Sequence, residues 1–199
     1  MIYLEAVLAV ADKLSNSMDI RESIDLVEAS TVPAKLETTP LPYGVKDLAP
    51  VMSAATIEYH YEHLAKAYAK KYNAGEGDPT FNRAGSFLHN KFFPQLKAPK
   101  GANRPKGAVL ELIENKFKTY EDFKTAFKDA AMAIQGSGWC YLATSGEIKT
   151  IKNHQVRTDI VVLLDMWEHA WALDYEWKKE EYIDNFWKIV NWEVCSDRL

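Results

Sequence analysis

Cysteine is almost missing from this chain of 199 residues: Cys140 and Cys195 stand far apart, and neither belongs to a CxxC pair. That excludes a disulfide framework and a thiolate zinc site, and makes a reducing cytoplasm the simplest location. Long apolar runs are missing too. None approaches the roughly 18 to 20 residues that span a bilayer, so no membrane partner is expected. There is no excess of positive charge, since 24 basic residues face 28 acidic ones for a net charge of −4. Bulk nucleic-acid binding is therefore not expected, although a local basic patch is compatible with this balance. The opening "MIYLEAVLAVADKL" lacks a basic start and is interrupted by Glu5 and Asp12, so it reads as a helix and not as a signal peptide. Internal repeats and low-complexity tracts are also absent. Histidine is scarce, with five in all: His60, His63, His89, His154 and His169.

What remains is a chain that is 47% hydrophobic and 26% charged, enough for a real core. Residues 1–40 hold two short amphipathic patterns, Ile2 to Leu14 and Ile20 to Ala29, and then the proline-containing "TVPAKLETTPLP". They read as an N-terminal helical extension and linker. Ser53 caps a long helical text that ends in the breakers "NAGEGDP", and a second helix near Phe81 to Phe93 would complete an antiparallel hairpin domain over residues 41–98. "LKAPKGANRPKG", residues 96–107, has the Pro, Gly and Lys content of a linker. Helices near Ala108 to Lys116 and Tyr120 to Ile134 follow. Then the period changes: "GWCYLAT", "EIKTIKN" and "TDIVVLLD" predict three antiparallel strands, the first two joined at Ser145-Gly146. Two closing helices are expected around Asp165 to Tyr175 and Glu180 to Trp192. The fold class is α+β, with residues 107–199 forming an α/β domain of three strands and flanking helices.

Within this frame four polar residues stand out. Antiparallel hairpin helices can bring His60 opposite His89. Asp165 and His169, at i and i+4, are expected on one face of a helical turn directly after a strand. Three imidazoles and one carboxylate suit iron, manganese or zinc, and the chemistry of the donors does not choose among them. Four protein ligands leave a fifth position for solvent or substrate.

The motifs around these residues resemble the iron/manganese superoxide dismutase family. The family marks "DxWEHAYxxDY" and "FWxxVNW" are matched by "DMWEHAWALDY" (165–175) and "FWKIVNW" (186–192). "LPYGVKDLAPVMSAATIEYHY" (41–61) resembles the family's opening helix, and "GSGWCYL" (136–142) its first-strand signature. The resemblance implies that His60, His89, Asp165 and His169 hold one Fe or Mn ion per chain, and that superoxide is disproportionated to oxygen and hydrogen peroxide. Zinc is then disfavoured, because it has no accessible redox step. It also implies that Tyr68 is the active-site tyrosine and that Trp139 and Trp167 wall the pocket. Glu168 would bridge to the partner in a homodimer, and Lys179 would steer the anion. The helix position that often carries a glutamine is Gly85 here, so the residue that tunes the metal-bound solvent is expected from "KNHQV": His154 first, Gln155 second.

The chain departs from the family pattern in three places. The "HxxxHHxxY" segment reads "HYEHLAKAY", with Leu64 and Ala65 at the two histidine positions and His63 one residue early. Ala172 stands where a partner-subunit tyrosine usually pairs with the first of those histidines. The hairpin is also short, and the extension over residues 1–40 lies outside the resemblance. A second reading follows from these departures: a dismutase-like structural or assembly subunit that uses the extension to bind a protein partner. An Fe(II) oxygenase is disfavoured, since it needs two histidines and one carboxylate with several open positions.

Overall fold

The computed structural model describes residues 35–199, so the two amphipathic patterns expected before Ala29 lie outside the described residues. Glu37–Leu199 forms one compact unit.

The Ser53 hydroxyl accepts from the Thr56 N–H at 3.1 Å and starts α1, Ala54–Glu58. The helix does not continue as a plain α-helix. Tyr59–Ala65 is π-helical, and α2, Lys66–Asn73, completes the arm. The return arm is α3, Pro79–Phe92, with Pro79 in its first turn and the Asp78 carboxylate accepting from the Phe81 N–H at 2.8 Å. A 3-10 turn, Phe93–Gln95, leads into the linker. Then come α4, Gly107–Phe117, and α5, Tyr120–Met132, the latter capped by Thr119 through the Asp122 N–H at 3.0 Å.

The sheet consists of β1, Gly138–Ala143, β2, Ile148–Lys152, and β3, Ile160–Asp165, antiparallel in the order β2-β1-β3. The central strand β1 and the apolar run of β3 are buried along their whole length. A strand covered on both faces has no solvent side to alternate toward, so it reads as a continuous apolar run. The helix α5 packs on β1 and β2, and α3 packs on β3. Trp139 pairs with Asp165 across the sheet, so the strand ends meet where the hairpin approaches.

The end of the chain differs from the expected pair of long helices. Past β3 come a 3-10 turn at Glu168–Ala170, then α6, Ala172–Tyr175, α7, Lys179–Phe186, and α8, Trp192–Ser196. Asp165 therefore ends a strand and does not lie on a helix. Its Oδ1 accepts from the Trp167 N–H at 2.8 Å, and Trp167 adopts an extended backbone, so the strand turns sharply before helical geometry begins. Such a local side-chain bond offers the backbone an alternative to helix, which periodicity cannot register.

No helix among the described residues is long and apolar enough to cross a membrane.

Candidate metal centre

Four side chains from four elements meet at one point. His60 comes from the π-helical segment, His89 from α3, Asp165 from the end of β3 and His169 from the 3-10 turn. Their ligand atoms all lie within 4.8 Å of one another. The Nε2 atoms of His60 and His89 are 3.0 Å apart. Asp165 Oδ2 is 3.2 Å from Nε2 of His60, 3.5 Å from that of His169 and 3.8 Å from that of His89. His60 and Asp165 are fully buried. His169 is the outermost, with 14% of its side chain exposed.

These atoms are poorly satisfied by the protein. The His89 Nδ1–H donates to the Gly85 carbonyl at 2.7 Å, which turns an Nε2 lone pair inward toward the others. Asp165 Oδ2, His169 Nε2 and His60 Nδ1 are buried with no hydrogen-bond partner among the described residues. A buried polar group left without a partner costs about 1–3 kcal/mol. Lone pairs and a carboxylate gathered without donors fit a cation at their centre, so the residues match a resident metal ion on geometry and on chemistry.

Protonation states follow the same logic. Burial opposes ionisation of Asp165, yet the His169 and His60 rings beside it hold its carboxyl well below the usual carboxylate range. Desolvation lowers His60, and it lowers His89 further, with the His60 charge adding to the effect. Neutral imidazoles beside an ionised carboxylate are the states in which these groups bind metal.

A second layer surrounds the cluster. The Trp139 indole N–H donates to His154 Nδ1 at 3.2 Å. Since indole is only a donor, His154 must carry its proton on Nε2, which lies 2.9 Å from the Tyr68 hydroxyl. Burial pushes His154 down to about 4 and Tyr68 up to about 12, so both are neutral at pH 7. The His154 ring stacks on Trp167, centroids 4.5 Å apart, while Trp139 meets His89 edge-on at 5.1 Å. Phe81 closes the other side, 4.7 Å from His154. Gln155 is not brought to the site; it is exposed and accepts from Arg157.

The remaining sequence candidates lie outside the cluster. Glu168 is exposed on a concavity of about 780 Å³ that also touches Tyr59, His169, Ala172 and Leu173. Lys179 is half-buried, its ammonium 4.8 Å over the Trp171 ring. His63 is exposed against Tyr59 and stays outside the cluster.

The comparisons bear on which family this arrangement represents. A family model for the C-terminal domain of iron/manganese superoxide dismutases matches residues 105–198. An iron superoxide dismutase of Escherichia coli is 32% identical over 188 residues, covering 82% of this chain and 97% of that protein. The chain belongs to the iron/manganese superoxide dismutase family. Two relatives named for both metals agree: one of Porphyromonas gingivalis, 34% identical over 81% of this chain and 98% of its own length, and one of Aeropyrum pernix, 31% identical over 83% and 91%.

For a member of this family, several supporting residues escape sequence reading. Gln95 is fully buried and clamps the middle of β3, its Oε1 accepting from the Leu163 N–H at 3.0 Å while its amide donates to the Leu163 carbonyl. The Tyr182 hydroxyl donates to the Asp165 carbonyl at 2.9 Å and so fixes the strand end that carries the carboxylate. Gly85 leaves room for the Tyr68 ring, because an added Cβ would stand 2.8 Å from it. The glutamine within the apolar "FFPQL" was a usable signal for Gln95; nothing marks Tyr182.

Proposed function

We propose that the protein is a superoxide dismutase in which His60, His89, Asp165 and His169 hold one iron or manganese ion per chain. The observation that carries this reading is the buried set of three imidazole nitrogens and one carboxylate oxygen, short of hydrogen-bond donors, in a chain of this family. An iron or manganese ion there would supply one-electron redox chemistry between M(III) and M(II). Asp165 is the single protein anion of the set, and its charge favours the oxidised metal.

Two superoxide ions and two protons yield one oxygen and one hydrogen peroxide, so the site needs a proton source as well as an electron carrier. Tyr68 and His154 are placed for that work. Because His154 donates its Nε2–H to the tyrosine oxygen, the tyrosine's own proton is free to be donated into the pocket. The Tyr68 pKa near 12 keeps that proton in place at neutral pH. Trp139, Trp167 and Phe81 pack around the pair and limit the entry of water. Lys179, its ammonium over the Trp171 ring, would favour arrival of a small anion.

A homodimer through the concavity around Glu168 is part of the reading, supported by the exposure there of Glu168, Tyr59 and Leu173. The positions where the family carries its two histidines and the partner-subunit tyrosine are apolar: Leu64 is half-buried, Ala65 is buried and Ala172 lies on the rim. Both free cysteines are buried, which suits a reducing cytoplasm. Residues 1–40 remain candidates for binding a protein partner.

The test is the superoxide dismutation rate of the metal-free protein before and after reconstitution with iron or with manganese. The reading expects activity to return in proportion to bound metal with at least one of them. Stoichiometric metal without dismutation would overturn the enzyme reading and leave the scaffold reading standing.

A further inference from the structure

The chain is acidic overall, yet one part of its surface is strongly cationic. Where residues 97–106 pass the start of α8, they enclose a cavity of about 440 Å³ lined by Lys97, Lys100, Arg104 and Lys106. A single carboxylate, Glu193, opposes these four cations, and Trp192 forms part of the wall. Arg104 is already paired with Glu121 at 2.8 Å. The three lysines enter no ion pair among the described residues. None of the residues around the metal centre lines this cavity.

The loop that carries the cations is anchored at two points. Asn103 donates through its side-chain amide to the carbonyls of Trp187 and Val190 at 2.9 and 2.7 Å. The Lys97 N–H donates to the Ile189 carbonyl at 2.7 Å, and Leu96 bridges to Val190. Pro105 is buried. The anchors hold the backbone at Lys97 and beside Arg104, which lowers the entropic cost of binding a ligand there.

We propose that this cleft binds a small polyanion carrying linked phosphate groups. With Arg104 paired to Glu121 and Glu193 facing the three unpaired lysines, an excess of two positive charges remains, more than a single monoanion can satisfy, and lysine ammonium groups act as point charges toward phosphate oxygens. The volume lies within the range of small-molecule sites and exceeds the needs of one phosphate. Such a chain of phosphates exists free or as the tail of a nucleotide, and the cleft chemistry recognises what both share.

The test is calorimetric titration of the full-length, metal-loaded protein with inorganic pyrophosphate and, separately, with adenosine diphosphate, at low salt. It is repeated with the doubly substituted Lys100→Gln, Lys106→Gln protein; both lysines are exposed, so the fold should be unaffected. Chelation of the metal by pyrophosphate is common to both proteins and cancels in the comparison. The expected result is one site per chain that weakens about tenfold or more in the double variant, with the dismutation rate unchanged. Equal affinity for the two ligands assigns recognition to the phosphates alone, and tighter binding of the nucleotide identifies it as the source. Absence of binding beyond metal chelation up to about 10 mM, or such binding that survives both substitutions, would overturn the proposal.

Discussion

Two clusters of uncompensated polar groups among the described residues differ in what leaving them uncompensated costs. At the candidate metal centre, lone pairs and a carboxylate converge largely out of water's reach, and several atoms have no partner. In the linker cleft, lysines converge where water hydrates them. The first arrangement is expensive unless a cation completes it, so it identifies its ligand closely. The second costs little when empty, since exposed charges are screened, and its ligand must supply the specificity. Burial therefore decides how much a constellation of residues tells about what it binds.

The largest expected effect lies at the buried cluster. Asp165→Asn keeps the shape and removes the anion, and the dismutation rate is expected to fall by about a hundredfold or more, measured per bound metal. Retention of full activity would contradict the role of its charge. Removing the metal from the wild type should lower the free energy of unfolding by about 4 kcal/mol if the ion is present at about a thousand times its dissociation constant, as read from chemical denaturation. An unchanged denaturation midpoint would mean that the cluster is already satisfied without a cation.

Smaller effects come from the layer around the ligands. Tyr68→Phe deletes the proposed proton donor but preserves the ring against Gly85, so turnover should drop by about tenfold to a hundredfold with metal content intact. Gly85→Ala pushes a Cβ into that ring and should destabilise the fold by about 1–3 kcal/mol.

The metal-free protein should also respond to acid. The folded state holds His154 near 4, below its ordinary value of about 6.5. As pH falls between those values the unfolded chain takes up a proton that the folded chain refuses. Stability is thus full above the unfolded pKa and declines toward pH 4, by up to about 3 kcal/mol from this residue alone. A flat stability profile across that window would contradict the buried, neutral assignment.

The sequence carried the architecture unevenly. Strands β1 and β3 were visible as short apolar runs, and both hairpin arms announced themselves through the Ser53 cap and through Pro79 after Asp78. The π-helical stretch that presents His60 was invisible, because its residues fit a 3.6-residue period equally well and only the i→i+5 bonds distinguish it. The turn after Asp165 is hidden in the sequence, since the i, i+4 spacing that suggests a helix also arises from a strand end followed by a 3-10 turn. The choice between His154 and Gln155 depended on a loop whose register no periodicity fixes; the structure puts the imidazole beside Tyr68 and the amide in solvent. Long-range contacts such as those of Gln95 with Leu163, 68 residues apart, leave no local trace.

The most direct test of the central claim is the metal content of His169→Ala set against that of the wild type, with circular dichroism to verify the fold. His169 is the outermost of the four and the least embedded in the core, so its loss should spare the structure. The account predicts one iron or manganese ion per wild-type chain and essentially none in the variant. A folded variant that keeps its full metal content would contradict it.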